Sequence, residues 1–224
     1  MIISGIMTKN PLFVHPDMPI NDVRAIMVKE KIGQLPVLAR EKPWHLPVFG
    51  KNKTLVGLIT KKDLLRATPS AATSLDMYEI SYLLSKLTAK DIMSSSVVAV
   101  GENEVIEEAA RIMVDKKIGC LPVMRDKLLV GIITDTDIFH FFVDAFGARY
   151  PGVRLMCSVL EKPGQIARLT HAIAERGGNL VAFVTSEGED LSKRRVTLKV
   201  TEISREDLEV TVKELGDVEL EDIR

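Results

Sequence analysis

The sequence predicts an α+β protein built from two related halves packed on each other, followed by a smaller βαββαβ domain. Three observations carry that expectation. Residues 6–37 realign with residues 92–123 at a constant offset of 86 without a gap, so that Ile20, Met27, Lys31, Gly33, Leu35 and Pro36 meet Ile106, Met113, Lys117, Gly119, Leu121 and Pro122. Gly57-Leu58-Ile59-Thr60-Lys61-Lys62-Asp63 returns as Gly131-Ile132-Ile133-Thr134-Asp135-Thr136-Asp137, now at an offset of 74. Beyond Gly152 the repeat stops and a new alternation of apolar strands and helical stripes begins. A duplication of this size marks two supersecondary units that bury their apolar faces on one another, and hence a clefted, pseudo-symmetric module.

Each repeat has the same order of elements. A short extended piece (Leu12–Val14 or Val97–Val100) follows an Ile-Met pair. A helix comes next, because Ile20, Val23, Ile26 and Met27 fall on one helical stripe, as do Ile106, Ala109, Ile112 and Met113. Asp17 and Asn103 are the expected N-caps, and Gly33 and Gly119 stand where each helix should stop. Leu35–Leu38 and Leu121–Met124 read as short buried strands. A second strand (Leu55–Thr60 or Leu128–Thr134) leads into a closing helix from Lys61 or Asp135. The fall in offset from 86 to 74 gives the first repeat 12 more residues within Ala39–Thr54, including Trp44, the sole tryptophan. They are expected to form a lengthened hairpin loop whose ring covers the core. Between the repeats, a loop over Thr68–Ser74 ends in a helix cap. Leu75, Tyr78, Ile80, Leu83, Leu84 and Leu87 then form the broad apolar face of a helix suited to packing or dimer contact.

Gly147–Gly152 reads as a linker. Val153–Leu160 is strand-like, and Glu161-Lys162-Pro163-Gly164 is a turn with Pro at a helix start. Ile166, Leu169, Ala172 and Ile173 make a stripe ending at Gly177-Gly178. Asn179–Ser186 and Arg195–Thr201 are two strands around a polar turn, Ser204 caps a second helix, and Val218–Ile223 is the last strand. This βαββαβ order is that of ferredoxin-like folds.

Composition narrows the function classes. Of 224 residues 46% are hydrophobic, with mean hydropathy +0.12, enough for a substantial core. A net charge of −1 and a pI near 6.5 supply no basic field for a phosphate backbone, so nucleic-acid binding is not expected. Cys120 and Cys157 lie in apolar runs and read as buried thiols. No basic stretch followed by an apolar one stands at the N-terminus, and no apolar run approaches the ~20 residues of a membrane helix. A cytoplasmic protein is therefore expected. His15, His45, His140 and His171 have no metal-ligand spacing, and no nucleophile elbow is present. Neither catalysis nor a metal is expected.

The sharpest motif is the paired Thr-x-x-Asp. Taken singly, each copy is a helix capping box. Its recurrence at two strand-to-helix junctions, where free N–H groups favour an anion, points to two symmetry-related ligand clefts. The twin pattern Ile6-Met7-Thr8, Leu35-Pro36-Val37, Gly57 to Asp63 and its second copy resembles a pair of CBS domains, a Bateman module, over residues 1–146. That resemblance implies repeats at 1–66 and 91–146, a linker helix at 67–90, and an adenosyl ligand (AMP, ATP, adenosine or S-adenosylmethionine) between them. Asp63 and Asp137 would hold the ribose, and Thr60 and Thr134 the ribose or phosphate. Leu12, Val14, Val98, Val100, Leu35, Pro36, Leu121 and Pro122 would wall the adenine. Family members often carry a basic pair before the Pro-Val strand. This chain has Gly33-Gln34 and Gly119-Cys120 there, leaving Lys31, Lys61, Lys62 and Lys117 as substitutes and weighing against a triphosphate.

Residues 153–224 resemble an ACT domain through Glu161–Gly164 and Gly177-Gly178-Asn179-Leu180, although that family has Asp where Glu161 stands. The resemblance implies edge-to-edge homodimerisation and an amino acid at the interface, held by Gly164 and Asn179. A CBS pair followed by an ACT domain is similar to the acetoin-utilisation (AcuB-like) proteins. The expectation is a non-enzymatic sensor that couples an adenosyl ligand to an ACT dimer. The alternative is a structural dimerisation protein with non-binding clefts.

Overall fold

The computed structural model describes residues 1–39, 54–68, 76–188 and 190–224. The inserted stretch with Trp44 and the 69–75 connection, with the loop and cap expected there, lie outside the described residues. By contacts, the chain divides into Met1–Ile138 and Phe139–Arg224. The first unit contains β1 (Thr8–Lys9), α1 (Ile20–Lys29), β2 (Gln34–Leu38), β3 (Leu55–Thr60), α2 (Lys61–Ala67), α3 (Met77–Lys86), α4 (Ala89–Ile92), β4 (Val100–Gly101), α5 (Ile106–Lys116), β5 (Cys120–Arg125) and β6 (Leu128–Thr134). Helix α6 (Asp135–Ala145) crosses the division.

The repeats are interleaved rather than side by side. The sheet of the second repeat runs β1-β6-β5-β4, so its edge strand comes from the start of the chain: Thr8 pairs Ile132 and Lys9 pairs Gly131. The first repeat mirrors this, with β2 against β3, a bridge from Val14 to Val37, and a bridge from Leu58 to Ser94. Each lead segment thus docks on the other repeat. Gly57 and Gly131 explain why both copies need glycine there. A Cβ on Gly57 would lie 2.4 Å from Met93 Sδ, and one on Gly131 would lie 2.4 Å from Met7 Sδ. The Ile-Met pair of one repeat therefore packs flat against the strand glycine of the other.

The same exchange corrects the expected helix caps. Pro19 and Val105, not Asp17 and Asn103, occupy the N-cap positions of α1 and α5, and neither makes a side-chain cap. Ile20 N–H instead donates to Leu87 O (3.0 Å) and Ile106 N–H to Met1 O (3.2 Å), again one segment from each crossing lead. These bonds satisfy helix-end donors that a local side chain would otherwise cap. The expected glycine stops are also displaced. Lys31 (φ 55°) and Lys117 (φ 54°) adopt the left-handed conformation, and Ile32 and Ile118 N–H close back on Met27 and Met113 O at 3.0 Å each.

The cores follow the duplication. Val14, Ile20, Val23, Met27, Leu35, Val37, Ile59 and Leu64 are buried in the first repeat, and Val100, Ile106, Ala109, Met113, Leu121, Val123, Ile133 and Ile138 in the second. The face of α3 is narrower than expected. Leu84 is buried, and Ile80 and Leu87 pack on the first core, but Tyr78 (87% exposed), Tyr82 and Leu83 face outward. Asp76 caps this helix, with a reciprocal Glu79 bond.

The second unit contains β7 (Val153–Leu160), α7 (Gln165–Glu175), β8 (Asn179–Glu187), β9 (Lys193–Thr201), α8 (Arg205–Glu214) and β10 (Glu219–Ile223). The sheet order is β10-β7-β9-β8, antiparallel throughout. Alternation sets one buried face: Leu155, Cys157 and Val159 on β7, and Val196, Leu198 and Val200 on β9. Leu169 and Ile173 of α7, and Leu208 and Val212 of α8, are i,i+4 pairs that cover it. On β7, β9 and β10, polar residues pair across strands: Arg154 with Asp222 (2.9 Å), and Glu221 with both Ser158 (2.5 Å) and Arg195 (2.7 Å). Gly152, within the expected linker, has φ 127°, and a Cβ there would sit 2.4 Å from Val200 O, so that stretch lies tight against β9.

Candidate ligand clefts

Two clefts of nearly equal size, about 560 and 570 Å³, open in the first unit. Both fall in the range of small-molecule sites. Cleft 1 joins Thr60 to Arg66 of the first repeat with Ser94 to Val98 and with Lys117 to Cys120 of the second. Cleft 2 joins Ile132 to Thr136 of the second repeat with Thr8 to Leu12 and with Glu30 to Gln34 of the first. Each cleft therefore uses the motif of one repeat and the loop before the Pro-Val strand of the other. Gly33, Gln34 and Asp135 line both.

The Thr-x-x-Asp motifs form capping boxes. In α2, Thr60 N–H and Oγ1–H both donate to Asp63 Oδ2 (2.8 and 2.6 Å), and Asp63 N–H donates to Thr60 Oγ1 (3.4 Å). Thr134 and Asp137 repeat this at 2.8, 2.7 and 3.3 Å. The bonds that the carboxylates accept all go to Oδ2, and among the described residues no donor takes Oδ1 of either aspartate. One carboxylate oxygen thus fixes the helix start while the other keeps its acceptor capacity. Lys61 and Asp135 N–H donate to Gly33 and Gly119 O, each at 3.0 Å. These bonds consume the first N–H group of each closing helix, one of those expected to attract an anion. The same bonds bring each helix start against Gly33 or Gly119. A Cβ on Gly119 would lie 3.1 Å from Asp135 Oδ2.

Thr60, Asp63 and Val98 line cleft 1, and Leu12 and Thr134 line cleft 2. Asp137 is half-buried and is not among the residues lining cleft 2. Val14, Val100, Leu35, Pro36, Leu121 and Pro122 are buried and line neither cleft. Val14, Leu35, Val100 and Leu121 belong to the buried core of the two repeats. Lys61, Lys62 and Lys117 line cleft 1 and Lys31 lines cleft 2. Arg66, Ser94 and Ser96 were not singled out by the sequence, although Arg66, one turn beyond Asp63, is where helical spacing would place another cleft residue. Cys120 also lines cleft 1, and burial, with the nearby Asp135 charge, pushes its thiol up to about 12. Cys157 is raised likewise by burial and by Glu221, to about 12.

In the second unit, Gly164 is the N-cap of α7 with φ 87°, and no atom lies within 4 Å of a Cβ built on it. Asn179 is exposed at the start of β8. Neither lines the clefts described above. Glu161 is ion-paired with Arg194 across the β7–β9 pair.

This architecture interleaves two repeats and sets a cleft beside each strand-to-helix motif. The CBS domain model matches residues 3–70 and 89–144, and the chain belongs to the CBS domain family as a tandem pair. A putative acetoin utilization protein (AcuB) from Vibrio cholerae superposes with a TM-score of 0.51 and is 27% identical, over 66% of this chain and 95% of that one. The CBS domain of a CBS-domain-containing membrane protein from Sphaerobacter thermophilus gives 0.50 at 26% identity, over 62% and 86%. L-aspartate semialdehyde sulfurtransferase of Methanocaldococcus jannaschii is 27% identical over 142 residues, 63% of this chain and 23% of that protein. The chain spans between 23% and 47% of the length of the first curated relatives it matches. Among the described residues no helix is long and apolar enough to cross a membrane.

Proposed function

We propose that this chain is a non-enzymatic, AcuB-like sensor that binds an adenosyl ligand between its CBS repeats. The observation that carries the proposal is Oδ1 of Asp63, which takes no donor among the described residues, at the wall of a cleft of about 560 Å³ and on a carboxylate already oriented by its cap. A ribose offers two adjacent hydroxyl donors, which such an acceptor suits. Family resemblance supports AMP, ATP, adenosine or S-adenosylmethionine as candidates, with Thr60 and Thr134 beside the sugar. Ligand binding would shift the packing of the repeats only through different affinities for two arrangements. The C-terminal unit is proposed to be an ACT domain of ferredoxin-like fold, supported by its βαββαβ order and its β10-β7-β9-β8 sheet. Its long edge strand β8 suits pairing in a homodimer, with Gly164 and Asn179 as candidate contacts for an amino acid. Calorimetric titration with the four adenosyl compounds tests the reading. Heat with at least one of them, lost on Asp63→Ala plus Asp137→Ala, is expected. No heat with any of them would leave a structural dimerisation module instead, a role favoured by the fully formed capping boxes.

A further inference from the structure

The two clefts match in size but not in charge. Cleft 1 is lined by four cations, Lys61, Lys62, Arg66 and Lys117, against two carboxylates, Asp63 and Asp135. Cleft 2 is lined by one cation, Lys31, against two carboxylates, Glu30 and Asp135. Among the described residues none of the four cations of cleft 1 is in an ion pair, so their charge is not neutralised within the fold. The difference lies in the repeat itself. At the offset of 74, Lys61, Lys62 and Arg66 are replaced by Asp135, Thr136 and His140. Asp135 is held in place by Thr136, whose N–H donates to its Oδ1 at 2.6 Å, and it faces both clefts.

We propose that the clefts select different ligand classes: cleft 1 a nucleoside phosphate, whose anion meets Lys61, Lys62, Arg66 and Lys117, and cleft 2 an uncharged or cationic nucleoside. One chain then reads two adenosyl species at once. The selection needs no basic pair at Gly119-Cys120, because α2 supplies Lys61, Lys62 and Arg66 from the facing wall and Lys117 stands two residues before Gly119. It rests on the adenosyl reading above, while the charge assignment has a test of its own. Exposed cations each contribute modestly and are screened by salt, so selectivity must come from their sum.

The test is a titration of the full chain with adenosine, ADP and inorganic pyrophosphate at low and high salt, followed by calorimetry and by amide chemical shifts. ADP is expected to bind cleft 1 at least about tenfold more tightly than adenosine does, with salt erasing the difference. Pyrophosphate is expected to perturb the amides of residues 61–66 and 117 and not those of Thr8, Asn10, Leu12 and Lys31, which line cleft 2 alone. Lys61→Glu plus Lys62→Glu should remove the ADP preference while leaving adenosine binding at cleft 2 unchanged. Asp135→Asn, which leaves all four cations in place, should strengthen ADP at cleft 1. Two equivalent ADP sites, or an ADP affinity indifferent to both variants, would overturn the proposal. If no nucleoside binds but pyrophosphate still selects cleft 1, the adenosyl reading fails and the charge assignment stands. Pyrophosphate at both clefts or at neither overturns the assignment.

Discussion

Replacing Gly57 by Ala probes the interleaving on which both clefts depend. The new Cβ would lie 2.4, 2.9 and 3.2 Å from Sδ, Cγ and Cβ of Met93. Favourable carbon contacts begin near ~3.5 Å, and the clash involves the inner part of the side chain, so rotating its tip does not relieve it. Either Met93 leaves its place among the first core's partly buried residues or β3 shifts against the Ser94 bridge, whose two backbone bonds are 3.0 and 2.9 Å. Overpacking of this kind costs about 1–3 kcal/mol, which at a urea slope of ~2 kcal/mol/M lowers the midpoint by about 1 M. Met93→Ala alone is destabilising through lost packing, but it opens the space. Gly57→Ala plus Met93→Ala is therefore expected to be less destabilised than the sum of the single changes by about 1–2 kcal/mol. Gly101→Ala, where nothing lies within 4 Å, is the control and should be near neutral. Urea denaturation of the four variants decides. A neutral Gly57→Ala, or strict additivity with Met93→Ala, would refute the crossing of lead segments between repeats.

Asp63→Asn and Asp63→Ala separate the two jobs of that carboxylate. The amide can still accept the cap bonds, so Asn should hold stability to within about 0.5 kcal/mol while Ala loses about 1 kcal/mol, and both should weaken nucleoside binding about tenfold or more; an Asn variant that binds like the parent contradicts the ribose role. Cys120 and Cys157 should both resist a thiol reagent at pH 8 in the folded protein, because thiols pushed up to about 12 keep only about one part in ten thousand as thiolate; labelling should rise with pH and become complete in urea, and rapid native labelling of both would contradict their burial. Light scattering should give twice the 24.8 kDa chain mass, with Phe183→Lys on the β8 edge strand reducing it to one chain; a parent monomer at micromolar concentration excludes the edge-strand dimer.

The sequence showed most plainly what is local and periodic. Strands β3, β6 and β7 begin and end at the expected residues, because their apolar runs are bounded by Thr-x-x-Asp or by a Pro-Gly turn. Ser204 caps α8 as expected, with Asp207 N–H on its Oγ at 3.0 Å. The caps of α1 and α5 were not legible, because their donors are satisfied by Leu87 and Met1, distant in sequence and delivered by the crossing leads. Leu35 and Leu121 show a second limit. An apolar run reveals that a strand is buried but not which buried surface it meets, so residues expected at the adenine became core. Lys61, Lys62 and Lys117 were individually visible, and Arg66 was not. That all four line one cleft, while only Lys31 lines the other, emerged only when both repeats were placed in space.

The central claim is tested most directly by electron density in the two clefts of crystals grown with AMP. The account predicts AMP in the cleft between Thr60 and Ser94–Val98, with a ribose hydroxyl on Oδ1 of Asp63 and the phosphate toward Lys61, Lys62 and Arg66. Empty clefts at saturating AMP, or AMP bound away from Asp63, would contradict it.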